Sequence, residues 1–330
     1  MKLSVTFALI LALLTGLTVV ALAQDRPMVS AEQFEKWMSE LSNWGRWGED
    51  DQLGTLNLIT PEKRVSAARL VEKGISVSLA RDLEKTESSD GTYYAFKNEM
   101  NFTGLEPNMG MFSGDSFWIR YHGLAHSHLD ALCHAFHEGR MYNGHAQTMV
   151  TNAGCQALAI TGPSNGFFTR GVLIDIPWLK GVSYLEPKTA IYPDDLNAWS
   201  DKAGVEIQPG DVVLIRTGRW ARLKGTGQRD NYESLPGLHA SSVKWLKNRD
   251  VAAVGTDAGV DVLPTGVEGQ PGPVHKLLLV AMGTQVFDDL DLEELSKEAK
   301  RFRRWEFLFT AAPLRAPGGT GSPLNPLAIF

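Results

Sequence analysis

The chain has 330 residues, of which 43% are apolar and 21% charged, and its formal net charge is −6 at pH 7. These values are ordinary for a globular protein, and the negative charge without a basic run argues against a nucleic-acid partner. The length allows one large domain or two small ones.

The N-terminus has the pattern of an export signal. Lys2 precedes an apolar core over residues 7–20, and Ala21-Leu22-Ala23 has the small-x-small pattern of a cleavage site. The apolar core is too short to favour a membrane-spanning helix. We therefore predict a signal peptide over residues 1–23, followed by a single domain over residues 24–330. The mature protein is expected in the periplasm or outside the cell, without stable membrane association.

Two helices are predicted before residue 75. Apolar residues at helical spacing predict the first within residues 24–45, and they are Phe34, Trp37, Met38 and Leu41. Thr60 followed by Pro61 predicts the N-terminus of the second, because Thr is a good N-cap and Pro is favoured in the first turn. This second helix is expected to end near Gly74.

After Gly74 short strand-type runs alternate irregularly with helical stretches. The predicted strands are Ile75–Leu79, Ser116–Tyr121, Gly171–Ile176, Asp211–Arg216 and Val251–Gly255. The predicted helices are Ala240–Arg249, Val274–Met282 and one that starts within Asp289–Ser296. The Pro- and Gly-rich tail from Ala312 to Phe330 is predicted to be an irregular arm. The pattern is mixed α/β rather than a strict βαβ series.

The most informative segment is residues 126–137, which contains four of the eight histidines in the chain. His126, His128 and Asp130 recur at a spacing of two, so they point to one face if this run is a strand. His134 follows four residues after Asp130. Imidazole and carboxylate are good ligands for Zn²⁺, Mn²⁺ or Fe²⁺, so the segment predicts a divalent metal site.

The two cysteines of the chain are Cys133 and Cys155. An oxidising compartment would allow them to form a disulfide. The position of Cys133 between Leu132 and His134 favours a small buried thiol instead, so pairing is the less favoured of the two alternatives.

The histidine-rich segment resembles the signature H-x-G-T-H-x-D-x-P-x-H of the cyclase family of metal-dependent hydrolases, which includes kynurenine formamidase and isatin hydrolase. The signature is matched at His128, Asp130 and His134. The resemblance implies that His128 and Asp130 bind Mn or Zn, as one or two ions, and that His134 is a general acid/base.

The segment departs from this signature at several positions. Leu124 stands at the first His position, so one ligand of the family pattern is missing. His126 lies on the same predicted strand face and is expected to replace that ligand, with His122 as the weaker candidate. Leu132 replaces the Pro of the signature. These differences argue against kynurenine formamidase itself.

The resemblance extends over about residues 45–310 and implies two further metal-site residues, His275 and Asp288. His275 follows a Pro-Gly-Pro run and is expected at the start of a helix, where the helix dipole disfavours its protonation. Asp288 could instead cap the following helix, but Asp289 is better placed to do so. The resemblance also implies a mixed β-sheet core wrapped by helices, of the swivelling β/β/α type, and a homodimer or higher homo-oligomer.

Four aromatic residues are predicted to line a substrate pocket, with core packing as the alternative explanation for each; they are Trp47, Phe117, Trp118 and Tyr142. Asp257 and Glu268 lie in Gly-rich segments near His275 and are candidates for orienting metal ligands. Turn formation is the alternative explanation for these two acidic residues.

The residues and the resemblance together predict a metal-dependent hydrolase of the arylformamidase-like class. It would cleave a C–N bond in an amide, lactam or formamide of a small, aromatic or cyclic substrate. Three alternatives stay open: a lactone or ester hydrolase, a cyclase that uses the same site, and a non-catalytic exported protein that binds a metal or a ligand.

Overall fold

A computed structural model describes residues 26–88, 92–103, 105 and 112–330. The predicted signal peptide lies outside these residues. Within them, no helix combines the length and the apolar character needed to cross a membrane. The helices are α1 (Ala31–Glu40), α2 (Pro61–Ala68), α3 (Ile176–Lys180), α4 (Pro193–Ala203), α5 (Arg219–Thr226), α6 (Val243–Lys247), α7 (Pro273–His275) and α8 (Glu293–Phe302).

Fifteen strands are described, most of them short. They are β1 (Ser76–Ser78), β2 (Lys97–Phe102), β3 (Gly114–Trp118), β4 (His128–Asp130), β5 (Val150–Thr151), β6 (Gly154–Cys155), β7 (Phe167–Asp175), β8 (Ala190–Ile191), β9 (Val212–Arg216), β10 (Gly237–Leu238), β11 (Ala253–Thr256), β12 (Gln285–Asp288), β13 (Glu306–Ala311), β14 (Gly321–Pro323) and β15 (Leu327–Ile329). A π-helix, Lys276–Met282, continues directly from α7.

Nine of these strands form one mixed sheet in the order β1-β15-β13-β7-β9-β11-β12-β4-β14. The central strands β7, β9, β11 and β12 are parallel, and antiparallel strands extend the sheet on both sides. Every residue of β9 and β11 is buried, as expected for parallel strands that are covered on both faces. The predicted α/β class with a mixed sheet wrapped by helices is confirmed.

The predicted helix starts are confirmed, but the end of the second helix is not. Phe34 and Met38 are the buried face of α1, and the Thr60 side chain accepts a hydrogen bond from the backbone N–H of Lys63 at the start of α2. α2 ends at Ala68 rather than near Gly74. The backbone N–H groups of residues 73 and 74 bind the Phe330 carbonyl oxygen instead of a helical carbonyl.

The prediction of an irregular arm for residues 312–330 was wrong, because β14 and β15 both join the main sheet. Pro323 is tolerated in β14 because this strand is at the edge of the sheet, where a proline costs no ladder hydrogen bond on the open side. Gly321 lets β14 lie close to β4, since a Cβ there would be 2.6 Å from the Leu129 carbonyl oxygen.

Cys133 and Cys155 form a disulfide, so the expectation of free thiols was wrong. Cys133 lies just after β4, and Cys155 ends the hairpin of β5 and β6. The sequence neighbours of Cys133 indicate that it is buried, but they carry no information about which distant loop packs against it. The disulfide ties the segment that follows β4 to this hairpin.

We expect that the double variant Cys133→Ala/Cys155→Ala is less stable than the wild type by about 3 kcal/mol, because the disulfide closes a loop with a sequence separation of 22. Urea unfolding followed by fluorescence measures the difference. A reductant should lower the stability of the wild type by a similar amount and leave the variant unchanged. Equal stability of both oxidised proteins would contradict the expectation.

Candidate metal centre

Two neighbouring antiparallel strands bring three candidate ligands together. β4 contributes His128 and Asp130, which point to the same face because side chains alternate along a strand. β12 ends at Asp288, which is directly opposite His128 in the ladder. All three side chains are buried, and one ligand atom from each lies within 4.8 Å of the others.

Asp130 also belongs to a second group, with His122 and His134. Its Oδ1 lies 3.0 Å from Nδ1 of His122, and its Oδ2 lies 3.7 Å from Nε2 of His134. The imidazole rings of His122 and His134 stack, with their centroids 4.0 Å apart. Asp130 is therefore the carboxylate that the two groups share.

His275 reaches the same carboxylates from α7. Its Nε2 lies 3.1 Å from Oδ2 of Asp288 and 3.6 Å from Oδ2 of Asp130. Its Nδ1 lies 2.6 Å from Oδ2 of Asp261, and Asp261 also accepts a hydrogen bond from the backbone N–H of Val274. Asp261 thus fixes the ring and directs Nε2 towards the centre, an arrangement common around metal-binding histidines.

Asp261 is a candidate positioning residue that sequence reasoning missed, because Asp257 and Glu268 were the candidates considered for this role. Asp257 instead accepts hydrogen bonds from the backbone and hydroxyl groups of Thr217. Glu268 is exposed and lies near the start of α1. Asp261 is fourteen residues from His275, and no local spacing relates the two.

The structure does not bring His126 into the centre, which corrects the prediction that it is a ligand. β4 begins only at His128, so the strand alternation does not extend back to His126. The Nε2 atom of His126 lies 2.8 Å from the Tyr94 carbonyl oxygen. His122, the weaker candidate from the sequence, contributes its imidazole instead.

A buried arginine holds the loop that leads into β4. Arg219 pairs with the carboxylates of Asp230 and Asp289 and donates a hydrogen bond to the Leu124 carbonyl oxygen at 2.6 Å. Burial lowers the pKa of Arg219, but the surrounding carboxylates outweigh burial and raise it, so the guanidinium stays charged. Asp289 is thus an ion-pair partner and not the predicted helix cap, since α8 begins later.

The centre holds its imidazoles in different protonation states. Burial lowers the pKa of His128, but the carboxylate of Asp130 outweighs burial and raises that pKa to about 9. For His134, burial together with the neighbouring imidazoles of His122 and His275 lowers the pKa to about 4. Burial lowers the pKa of His275, but the carboxylates of Asp261 and Asp288 outweigh burial and raise that pKa well above its ordinary value, so the expectation that the helix dipole disfavours its protonation was wrong. At neutral pH the metal-free centre therefore carries protons on His128 and His275, and His134 is uncharged.

The donor atoms of the centre fit a divalent cation. Oδ1 of Asp288 is buried and accepts no hydrogen bond from the residues that the structure describes. An unpaired buried carboxylate oxygen is costly, and a cation would satisfy it. Nδ1 of His128 lies 2.8 Å from a carbonyl oxygen, which can only accept, so Nε2 is left to bind a metal. The residues that would hold the ion or ions are His122, His128, Asp130, His275 and Asp288.

The centre forms part of the wall of a cavity of about 470 Å³. Most of the remaining lining is apolar, and it includes Leu124, Ala135, Phe136, Tyr232, Leu235, Leu263 and Pro271. The cavity therefore offers room for a small molecule beside the candidate ligands, with a few polar groups to orient it.

The four aromatic residues predicted to line this pocket lie elsewhere. Tyr142 is fully buried in the core and donates a hydrogen bond to Asp51 at 3.0 Å. Phe117 and Trp118 are exposed on β3, which pairs with β2 outside the main sheet. Trp47 packs under the guanidinium of the preceding arginine. For these residues the predicted role is corrected, and core packing explains Tyr142.

Phe136 and Tyr232 are the aromatic side chains that do line the cavity. Phe136 lies two residues after His134, so its proximity to the centre follows from the motif. Tyr232 lies in a loop between α5 and β10, where no sequence pattern indicates a pocket residue.

Comparisons with known proteins identify the family. The family model described as "Putative cyclase" matches residues 57–261. A crystal structure described as a novel cyclase is 32% identical to this chain, covers 88% of this chain and 98% of its own, and superposes with a TM-score of 0.79. The chain belongs to the cyclase family. The resemblance seen in the sequence is thus confirmed.

Two solved isatin hydrolases of type A are more distant members of the same fold. The protein from Ralstonia solanacearum is 22% identical, with a TM-score of 0.57 over 78% of this chain and 92% of its own. The protein from Labrenzia aggregata, bound to benzyl benzoate, is 21% identical, with a TM-score of 0.55 over 81% and 97%. These two similarities show the fold alone. No curated protein sequence matches the chain.

The family model matches the chain only as far as Asp261. The placement of His275 and Asp288 in the centre therefore rests on the geometry of the structure.

We expect that Asp130→Asn abolishes metal binding, because Asp130 is shared by both groups of ligands. Asp261→Asn should weaken metal affinity by about 10- to 100-fold, since it removes the partner that orients His275. Elemental analysis and metal titration of the purified variants measure both effects.

The matched control is His137→Ala. His137 belongs to a separate group with Glu35 and Glu138, so this variant should keep its metal. If His137→Ala lost the metal while Asp130→Asn retained it, the ion would bind at that other group.

Metal affinity should increase with pH between pH 6 and 9. Because the pKa of His128 is raised to about 9 and that of His275 is raised well above its ordinary value, a metal ion that binds below pH 9 has to displace protons from both ligands. Apparent affinity should therefore fall by at least about tenfold for each unit by which the pH is lowered. Calorimetric titration in two buffers of different ionisation enthalpy gives both the affinity and the number of protons released. Equal affinities at pH 6 and pH 8, without proton release, would contradict this.

Proposed function

We propose that the protein is a metal-dependent hydrolase that cleaves a C–N bond in a small amide, lactam or formamide. The observation that carries the proposal is a cluster of imidazoles and carboxylates in the wall of a mainly apolar cavity. Membership of the cyclase family supports an enzyme rather than a binding protein. The isatin hydrolases with this fold are hydrolases by name, which supports the same class of reaction here.

The residues of the centre have separate roles in this proposal. His128, Asp130 and Asp288 would hold one divalent ion, and His122 with His275 would complete its shell or hold a second ion. Such an ion, Mn or Zn, supplies a Lewis acid that acidifies water and polarises a carbonyl group. Asp261 keeps Nε2 of His275 directed at the carboxylates, so it is a positioning residue.

His134 is the proposed general acid/base. Its side chain is 32% exposed, whereas that of His128 is 3% exposed, and His134 lines the cavity. As the oxygen of a water molecule adds to the carbonyl carbon, one water proton passes to His134. The C–N bond then breaks, and the same proton passes to the departing nitrogen. The products are a carboxylic acid and an amine.

We also propose that the protein works in an exported, oxidising compartment. The disulfide between Cys133 and Cys155 supports this proposal, because structural disulfides persist in such compartments and are rare in a reducing cytosol. The expected homo-oligomer stays a prediction.

The function is tested by supplying the purified protein, loaded with Mn²⁺ or Zn²⁺, with formamides, lactams and linear amides, and with lactones and esters for comparison. Turnover of a C–N substrate that disappears on chelation and returns with metal supports the proposal. Turnover of esters and lactones alone would replace it with an ester hydrolase, and no turnover of any substrate with either metal would overturn it.

His134→Ala should lower kcat by about 10²- to 10⁴-fold, the usual contribution of a positioned acid/base. Its metal content should be unchanged, because His128, Asp130 and Asp288 form a group of ligand atoms that does not include His134. Steady-state rates and elemental analysis of the same preparation give both values. Wild-type turnover in His134→Ala would remove this residue from the mechanism.

A further inference from the structure

One charged side chain in the cavity wall does not belong to the metal centre. Among the described residues that line the cavity, the charged and imidazole groups are those of the centre, its positioning residue Asp261, and Lys276. Lys276 directly follows His275 and begins the π-helix. Lys276 is therefore adjacent in sequence to a candidate metal ligand, and both residues line the cavity.

Lys276 has only a neutral partner among the described residues. Its Nζ donates a hydrogen bond to Oε1 of Gln270 at 2.8 Å, and it forms no ion pair with any carboxylate that the structure describes. Lys63, by contrast, is also partly buried and pairs with Asp211 at 2.6 Å. An ammonium has three donors, so Lys276 retains donors for an additional acceptor.

The residues that line the cavity indicate a ligand with three parts. A carbonyl group would be placed at the metal centre, and an apolar body would contact Leu124, Phe136 and Leu263. The ammonium of Lys276 would meet a third group, and a hydrogen bond between two charged groups is stronger than one between neutral groups. An anion would form the strongest hydrogen bond with this ammonium.

We propose that Lys276 forms an anion subsite, which binds a carboxylate carried by the substrate apart from the bond that is cleaved. Gln270 positions the ammonium by holding one of its N–H groups. The inference rests on the proposed function and narrows it to amides, formamides or lactams that carry a carboxylate on an apolar, cyclic body.

The test uses the metal-loaded protein with 3-carboxyformanilide and its neutral methyl ester. Lys276→Met should raise KM for the carboxylate by about tenfold or more and leave its kcat within about twofold, because an anion subsite contributes binding rather than proton transfer. KM for the methyl ester should be unchanged. Lys276→Arg should keep most of the preference for the carboxylate, because it keeps the charge.

The matched control is Lys244→Met, which removes one positive charge from an exposed site that does not line this cavity. It should leave both KM values at the wild-type level. The subsite is overturned if Lys276→Met changes the two substrates alike, if it changes neither, or if Lys244→Met has the same effect.

A second measurement separates failure of the subsite from failure of the proposed function. If neither formanilide is hydrolysed, calorimetry measures the binding of both compounds to the metal-loaded protein. A preference for the carboxylate that is lost in Lys276→Met supports the subsite even without turnover. No preference, or one that persists in Lys276→Met, overturns it, because the carboxylate then binds elsewhere or not at all.

Discussion

The buried carboxylate of Asp130 is the group on which the rest of the centre depends. A carboxylate without water is stable only when cations or hydrogen-bond donors surround it. Here burial raises its pKa, but the imidazoles of His134, His122 and His128 outweigh burial and lower that pKa well below the usual range. These imidazoles come from the loop before β4, from β4 itself and from the segment after it. One buried charge therefore organises three stretches of chain.

The sheet makes this arrangement possible because it sets the register of β4. His128 is opposite Asp288 on one side and opposite Pro323 on the other. A slip of one residue would turn Asp130 to the opposite face of the sheet. Arg219 adds a second constraint, since it binds both the loop before β4 and Asp289, the residue after β12. Strand register and one buried guanidinium thus align the two halves of the centre.

Local spacing and the family signature predicted His128, Asp130 and His134, which lie within one segment. His275 and Asp288 were predicted from the wider resemblance to the family. The sequence did not show where β4 begins, so His126 was preferred to His122. It also gave no indication of Asp261 or Tyr232, because their proximity to the centre results from packing between distant segments. The disulfide and the strands of the C-terminal tail were missed for the same reason. Tertiary contacts decided each of these positions.

The place of β4 between β12 and β14 has a consequence for how the molecule is assembled. Both neighbours of β4 come from much later in the chain, so the hydrogen bonds that hold this strand have high contact order and are expected to form late in folding. The carboxylates of β4 and β12 cannot share an ion until these strands have paired. The proposed ion would therefore bind only after this part of the sheet has formed, and an ion held by both carboxylates would indicate that β4 and β12 have paired.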